Sequence, residues 1–417
     1  MKTYRRIALH TLGCKSNRYD TDRIAALFSE RRYKLVDFSQ VADCYIINTC
    51  AVTAVSVKKS LQFIRKPKNQ NALIVVSGCM TRLPDIEIPK NCVVLDNSDY
   101  DVFVEEIARR IGDSGSLSVF EAPKSRVRVY LKIQDGCDNS CSYCVVRLAR
   151  GQAKSRSVER ILKEAQILKS NKLNKLKKTE VVLTGIQIAQ YGRDIGSSLL
   201  ELLEELAKEL TEESWRIRLG SVDPSVFSDN FILRISKIPG LCPHFHLPLQ
   251  SGSDAVLNNM KRNYTSASYT GICEKLKNAF PDCGITTDII TGFPGETEAD
   301  FEKTLELIEK LEFLRAHIFP FSARNGTAAA LEQNQIPENI KKERARRASD
   351  LALKVRKRFI LRFIGKTFEA ILENNKKARL ANYMEVIIKD LKNNKAGEIV
   401  KVVISDVQGE TAQGYIK

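Results

Sequence analysis

Cys137-Asp138-Asn139-Ser140-Cys141-Ser142-Tyr143-Cys144 places three thiols in a C-x3-C-x2-C spacing. The preceding run, 127–135 (Val-Arg-Val-Tyr-Leu-Lys-Ile-Gln-Asp), reads as a strand that leads into them. Three thiolates so close together can wrap one compact metal centre. A structural zinc site would want a fourth ligand at short spacing, and none follows. Histidine is limited to His10, His244, His246 and His317, which weakens a Cys/His zinc site further. On a four-iron cluster the three thiolates would leave one iron without a protein ligand. An open coordination position marks catalysis rather than structure.

Downstream of this segment, strands and helices alternate to about residue 330. Strands are expected at 180–184, 215–219, 244–247, 284–290 and 315–321, with helices at 198–210, 225–237, 266–280 and 298–312. About six strand–helix units imply a full or partial barrel, with its chemistry at the carboxyl ends of the strands. Upstream, residues 1–110 repeat the alternation. Strands at Arg6–His10, Cys44–Asn48 and Ala72–Val76 are separated by helices at Asp20–Arg31 and 54–65, which predicts a parallel sheet. Cys14, Cys50 and Cys79 each lie just past a strand's carboxyl end, where such sheets bind ligands. Far apart in sequence, they should converge in space.

Beyond the barrel, 338–363 reads as a long helix, with Ala348, Leu351, Val355 and Phe359 at helical spacing. Between 341 and 362 ten Lys/Arg stand against Glu343 and Asp350. This run is either a solvated helix face or a nucleic-acid contact. Short strands at Thr367–Glu373, Met384–Asp390, Glu398–Val407 and Gly414–Ile416 then predict a small β-barrel, a form often used on oligonucleotides. The fold class is α/β, in three units: an N-terminal parallel α/β domain (1–110), a central barrel domain (123–363) and a C-terminal small β-barrel (364–417).

The 417 residues carry 66 Lys/Arg against 50 Asp/Glu, a net +16 that favours a polyanionic partner. No apolar run approaches the roughly 18 residues of a membrane span. The start, MKTYRRIALHTLGC, lacks a signal-peptide core. A cytoplasmic chain, with no membrane association, is therefore expected, in a compartment that keeps thiols reduced. There, 11 cysteines point to metal or catalysis rather than to disulfides.

C-x3-C-x2-C with an aromatic before its last Cys resembles the radical S-adenosylmethionine (SAM) enzymes. That resemblance implies a partial (β/α)6 barrel and a four-iron cluster on Cys137, Cys141 and Cys144, with SAM chelating the open iron. Thr11-Leu12-Gly13-Cys14-Lys15-Ser16-Asn17, Ile47-Asn48-Thr49-Cys50-Ala51-Val52-Thr53 and Ser77-Gly78-Cys79 narrow it to something similar to the methylthiotransferases. In that family three N-terminal cysteines hold an auxiliary four-iron cluster, and the chain ends in an RNA-binding TRAM barrel. Two [4Fe-4S] clusters, SAM, a tRNA partner, an external one-electron reductant and a monomeric state follow as expectations.

Gly292-Phe293-Pro294-Gly295-Glu296-Thr297 resembles the family's late barrel loop, and His246-Leu247-Pro248-Leu249-Gln250-Ser251-Gly252 its fifth-strand segment. Tyr143, Gly185, Gln250 and Asp288 become candidate SAM contacts, and Arg346, Arg347 and Lys357 candidate tRNA contacts. Two segments depart from the family pattern: Val146-Arg147-Leu148-Ala149-Arg150-Gly151 has no Pro, and Gly220-Ser221-Val222-Asp223-Pro224 replaces a Ser-Ser-x-Glu-Pro. Cys44, Cys92, Cys242, Cys273 and Cys283 match no ligand motif and read as packing residues.

The resemblance implies that one cluster donates an electron to SAM, that the resulting radical removes a substrate hydrogen, and that C–H becomes C–S–CH3. Lys15 after the first Cys, together with Asn-Thr-Cys-Ala-Val-Thr and Lys58-Lys59-Ser60, is most similar to the branch acting on threonylcarbamoyladenosine in tRNA. The isopentenyladenosine branch typically has Gln after that Cys. A ribosomal-protein aspartate, or a non-enzymatic iron–sulfur module for electron transfer or RNA binding, are the other readings.

Overall fold

The computed structural model describes residues 5–69, 71–112, 127–170, 179–210, 215–374, 376–391 and 393–417. The N-terminal unit runs β1 (Arg6–Thr11), α1 (Lys15–Glu30), β2 (Lys34–Val36), β3 (Cys44–Thr49), α2 (Ala54–Ile64), β4 (Leu73–Gly78), β5 (Val93–Val94) and α3 (Tyr100–Ile111). The five strands form a parallel sheet in the order β2-β1-β3-β4-β5. β3 is buried along its whole length, as the apolar run of a central parallel strand requires.

Side chains alternate across this sheet. Ile7, Ile46 and Val75 pack with Ile24, Phe28 and Phe103, while Ala8, Tyr45, Ile47 and Val76 pack with Ile64 and Met80 on the other face. Val145 and Ala149, from the segment that follows the C-x3-C-x2-C, join that second face, so the first two units share a core. α1 begins five residues before the expected Asp20, immediately after Cys14. Its first turn, Lys15 to Arg18, is polar, so no apolar period marks it.

The central unit comprises β6 (Arg128–Lys132), β7 (Gln134–Asp135), α4 (Val146–Arg150), β8 (Lys154–Ser155), α5 (Val158–Ser170), β9 (Thr179–Thr184) and α6 (Leu199–Glu209). It continues with β10 (Trp215–Leu219), α7 (Asp229–Ile235), β11 (His244–His246), α8 (Asp254–Asn259), α9 (Ser266–Ala279), β12 (Gly284–Thr291), α10 (Glu298–Leu311) and β13 (Arg315–Pro320). Parallel ladders join β6-β9-β10 and β11-β12-β13. Parallel bridges Ile217↔Leu241 and Ser221↔His246 close the seam between the two sheets. Among the described residues no ladder returns from β13 to β6, so the barrel is open on that side.

The strand expected over 127–135 ends at Lys132. Gln134–Asp135 turns away to pair antiparallel with Lys154–Ser155. The helix expected over 225–237 is a 3-10 turn at Pro224–Val226 followed by α7, capped where the Ser228 hydroxyl accepts from Phe231 N–H. Residue 123, the expected start of this unit, lies outside the described residues.

α11 (Ala328–Leu331) and α12 (Glu338–Leu361) lead to β14 (Thr367–Asn374), β15 (Lys377–Leu380), β16 (Glu385–Ile388), β17 (Ile399–Gln408) and β18 (Thr411–Ile416). These five strands close into a barrel in the order β14-β15-β16-β18-β17. β15, which carries Lys377 and Arg379 between Ala378 and Leu380, is too short to show as a pattern in the sequence. The barrel core of Ala370, Val386, Val402 and Ile404 is continuous with Phe359, Ile360 and Phe363 from the end of α12. The small barrel docks on the central unit through Arg218, which donates to the carbonyl of Ala381 at 2.9 Å, and through Asn382, which donates to that of Asp282 at 3.0 Å. Among the described residues no helix is long and apolar enough to cross a membrane.

Candidate functional site

β1, β3 and β4 are neighbours in the sheet, so the turns that follow them lie side by side. Cys14 is the residue capping α1, Cys50 follows β3, and Cys79 opens the 3-10 turn after β4. Gly13 (φ +94°) brings the first two together: a Cβ there would stand 2.8 Å from Cys50 Cβ and 2.9 Å from its Sγ. Asn17, in the first turn of α1, donates to the carbonyls of Leu12 (2.8 Å) and Thr49 (2.9 Å) and so staples the first two turns. The Thr49 hydroxyl donates to Ser77 O at 2.5 Å and accepts from Met80 N–H, tying in the third. Cys14 is open to solvent but ringed by protein, and that enclosure pushes its thiol up. Burial also raises Cys79, against the opposing pull of Arg150, whose Nε donates to its Sγ at 3.1 Å.

The second trio sits at the carboxyl end of the first barrel strands. Asp138 N–H donates to Gln190 Oε1 at 3.0 Å, and Gln190 Nε2 donates to Asn139 at 3.0 Å. Ser142 N–H and hydroxyl donate to the carbonyls of Met260 and Asn259, anchoring the loop to the end of α8. Burial raises the thiol of Cys137 and pushes that of Cys144 up to about 12. Arg262 donates to Cys141 Sγ at 3.2 Å and pairs with the buried Asp223 at 2.6 Å. Asp223 belongs to the segment whose sequence departs from the family pattern, and here it positions the arginine on the thiol. The Pro-less stretch after Cys144 forms the single helical turn of α4, which ends at Gly151 (φ +72°).

α4 follows the second trio in the chain and reaches the first. Arg150 on it reaches Cys79 of the first trio, Asn17 in the first turn of α1, and the carboxylates of Asp20 (3.4 Å) and Asp135 (3.0 Å). Each trio offers three free thiols, the donor chemistry that holds iron–sulfur clusters.

Of the other expected residues, Tyr143 packs beside Met260, Phe293 and Phe321, and burial drives its phenol well above its ordinary value. Gly185 follows β9 so closely against Gln134 that a Cβ would lie 2.9 Å from the Gln134 carbonyl. Gln250 is a non-glycine residue at φ +66°, with backbone bonds to Asp288 O and Ile290 N–H, so strain is concentrated beside the barrel mouth. Asp288 pairs with His246 at 3.1 Å, and His246 lies 6.1 Å from His317. Sequence reasoning missed this histidine pair because β11, β12 and β13 bring it together only across the sheet.

Most charges of the basic helix, expected to be either a solvated face or a nucleic-acid contact, are paired within the protein. Lys341 pairs with Glu338, Arg344 with Glu296 and Glu298, Arg347 with Glu298, Glu302 and Glu343, Arg356 with Glu410, Arg358 with Glu309, and Arg362 with Glu312. Arg346 pairs with Asp350 and stays exposed. Lys357 is exposed and, like Lys342 and Lys354, makes no ion pair among the described residues. Much of the charge thus fastens α12 to α10 and to the small barrel.

Residues 131–308 match the radical SAM superfamily, and residues 6–98 match a family described as uncharacterized protein family UPF0004. A threonylcarbamoyladenosine tRNA methylthiotransferase MtaB of Thermotoga maritima is 38% identical, over 98% of this chain and 96% of its own. The chain belongs to the radical SAM methylthiotransferase family. A second MtaB, of Bacillus subtilis, is 37% identical over 95% of this methylthiotransferase and 93% of its own length. A tRNA-2-methylthio-N(6)-dimethylallyladenosine synthase of Acetivibrio thermocellus is 32% identical over 98% and 90%. Among solved structures, the radical SAM methyltransferase TsrM of Kitasatospora setae covers 79% of the methylthiotransferase, and 78% of its own chain, at TM-score 0.55 and 12% identity, a likeness of fold.

Proposed function

We propose that the chain methylthiolates C2 of N6-threonylcarbamoyladenosine in tRNA by a radical SAM mechanism, giving 2-methylthio-N6-threonylcarbamoyladenosine. The observation that carries this is that Arg150, six residues after Cys144 of the second trio, donates to Cys79 of the first at 3.1 Å. The relatives at 38% and 37% identity, matched over nearly their whole length, are both named for that reaction. An aromatic C–H is not acidic enough for a side-chain base, so the hard chemistry falls to cofactors and the protein supplies position. When bound, SAM and two [4Fe-4S] clusters supply hydrogen abstraction, sulfur and a methyl group.

In this reading Cys137, Cys141 and Cys144 hold the SAM-binding cluster, and Cys14, Cys50 and Cys79 the auxiliary one. Tyr143, Gly185, Gln250 and Asp288 line the SAM side. Gly185 offers bare backbone to the ligand, and Tyr143 excludes water. Arg262 and Arg150 each donate to one sulfur of a trio, Cys141 and Cys79, and so orient it as a ligand. The open flank between β6 and β13 is the route by which a base can enter. Exposed cations of α12 (Arg346, Lys357, with Arg347 at the paired edge) and the small barrel meet the tRNA phosphates. The working units are 1–110, 123–363 and 364–417, and the protein acts as a cytoplasmic monomer with an external one-electron reductant.

Mass spectrometry of tRNA nucleosides from cells with and without the gene tests this. Loss of the methylthio form, with N6-threonylcarbamoyladenosine accumulating, is the expected result. Loss of methylthio-isopentenyladenosine instead would move the substrate to the other tRNA branch.

A further inference from the structure

Lys15 is the first residue of α1, next in the chain to Cys14. A helix N-terminus carries partial positive charge, so a lysine there is electrostatically misplaced. Nothing local relieves it: the first turn contains no acid, and Cys14 makes no side-chain cap. Lys15 is half-buried, and among the described residues it has neither hydrogen bond nor ion pair. The groups acting on its charge are Tyr383, Arg218, Arg128 and Glu180. Their charges are already matched. Glu180 is held by both arms of Arg218, at 2.6 and 2.7 Å, and Arg128 pairs with Glu373 at 2.7 Å. His244, stacked on Tyr383 at 4.3 Å, and His317 also face Lys15, and burial favours their neutral forms.

All three units therefore present groups to Lys15: α1 of the first carries it, β6, β9, β10, β11 and β13 of the second and Tyr383 of the third face it. Among the described residues no carboxylate bonds Lys15. A half-buried ammonium without a counter-charge is costly, and a ligand that supplies an anion removes that cost. Because Lys15 follows Cys14 directly, its Cα stands about 3.8 Å from that of a cysteine in the first trio. The proposed function puts the base being modified beside this trio. The carboxylate of the threonylcarbamoyl arm hangs from that same base.

We infer that Lys15 receives the threonyl carboxylate of the substrate nucleoside and selects the acidic base over apolar N6-modified adenosines. This rests on the substrate proposed above. The test compares two anticodon stem-loop RNAs by fluorescence anisotropy with the cluster-loaded protein at fixed salt. One carries N6-threonylcarbamoyladenosine, and the other carries the same nucleoside with its carboxyl converted to the amide. The unaltered protein is expected to prefer the acid by on the order of tenfold. Lys15→Gln should bind both RNAs with the affinity of the amide, and Lys15→Arg should restore much of the preference. Iron and sulfide content should be unchanged in both variants.

A preference that survives in Lys15→Gln overturns the inference. So does an equal loss on both RNAs, which would mean a phosphate contact. Lost iron with the preference intact would assign Lys15 to balancing the cluster's charge and also overturns it. Absence of any preference in the unaltered protein overturns it too. In each case, methylthiolation of the acid RNA by the unaltered protein shows separately whether the proposed function stands.

Discussion

Replacing Gly13 by alanine puts a methyl group against Cys50 and forces φ +94° on a residue that resists it. The expected cost is about 1–3 kcal/mol in stability. Iron bound by the first trio should fall to the level of a Cys14→Ala variant while the second trio keeps its own, which iron analysis of single-trio backgrounds will read. The six cysteines stand out as candidate ligands in the sequence because each sits in a short motif whose spacing expresses ligand chemistry. The contacts of Arg150 and Arg262 were not legible there, because each gains its meaning from a partner far along the chain. Arg150 and Cys79 are 71 residues apart, and Arg262 and Cys141 are 121 apart. No local pattern encodes such pairs.

At the scale of elements, the loop after β12 and α12 are held by one buried ion pair. Glu296 accepts from Gly292 N–H and from Arg344 at 2.9 Å, and both side chains are almost fully buried. Burial still raises the Glu296 carboxyl above its ordinary range. Arg344→Ala would strand that carboxylate, at about 3–5 kcal/mol. Its pKa would then rise further, so the penalty is full above that pKa and relieved as pH falls through it. The gap in Tm between variant and unaltered protein should therefore be wider at about pH 8 than at about pH 5.

α12 also separates two kinds of basic residue. Reversing Lys342, Lys354 and Lys357 to Glu should weaken tRNA binding and flatten its salt dependence, with Tm little changed. Arg347→Glu should lower Tm, because Glu298 and Glu302 then face a like charge. Strand–helix alternation was readable throughout the central unit because apolar runs carry it. The use of the basic helix was not, since nothing in 341–362 reveals that Glu298, Glu302 and Glu309 of α10 lie opposite.

For the whole molecule, the small barrel completes the central unit as well as ending the chain. Arg218 needs the carbonyl of Ala381, and Phe359, Ile360 and Phe363 lie in the barrel's core. A chain ending at residue 364 should expose these groups and self-associate, eluting early in size-exclusion chromatography, instead of behaving as a compact two-unit protein. Arg150 carries a different lesson, for anyone wishing to recombine such chains. The guanidinium belongs to the unit that carries the second cysteine trio, yet it is held by Asp20 and Asn17 and rests on Cys79 of the other. A graft of residues 1–110 from a relative brings a working centre only if it also brings an acid at 20 and an amide at 17. The seam between the two units is therefore no neutral place to cut.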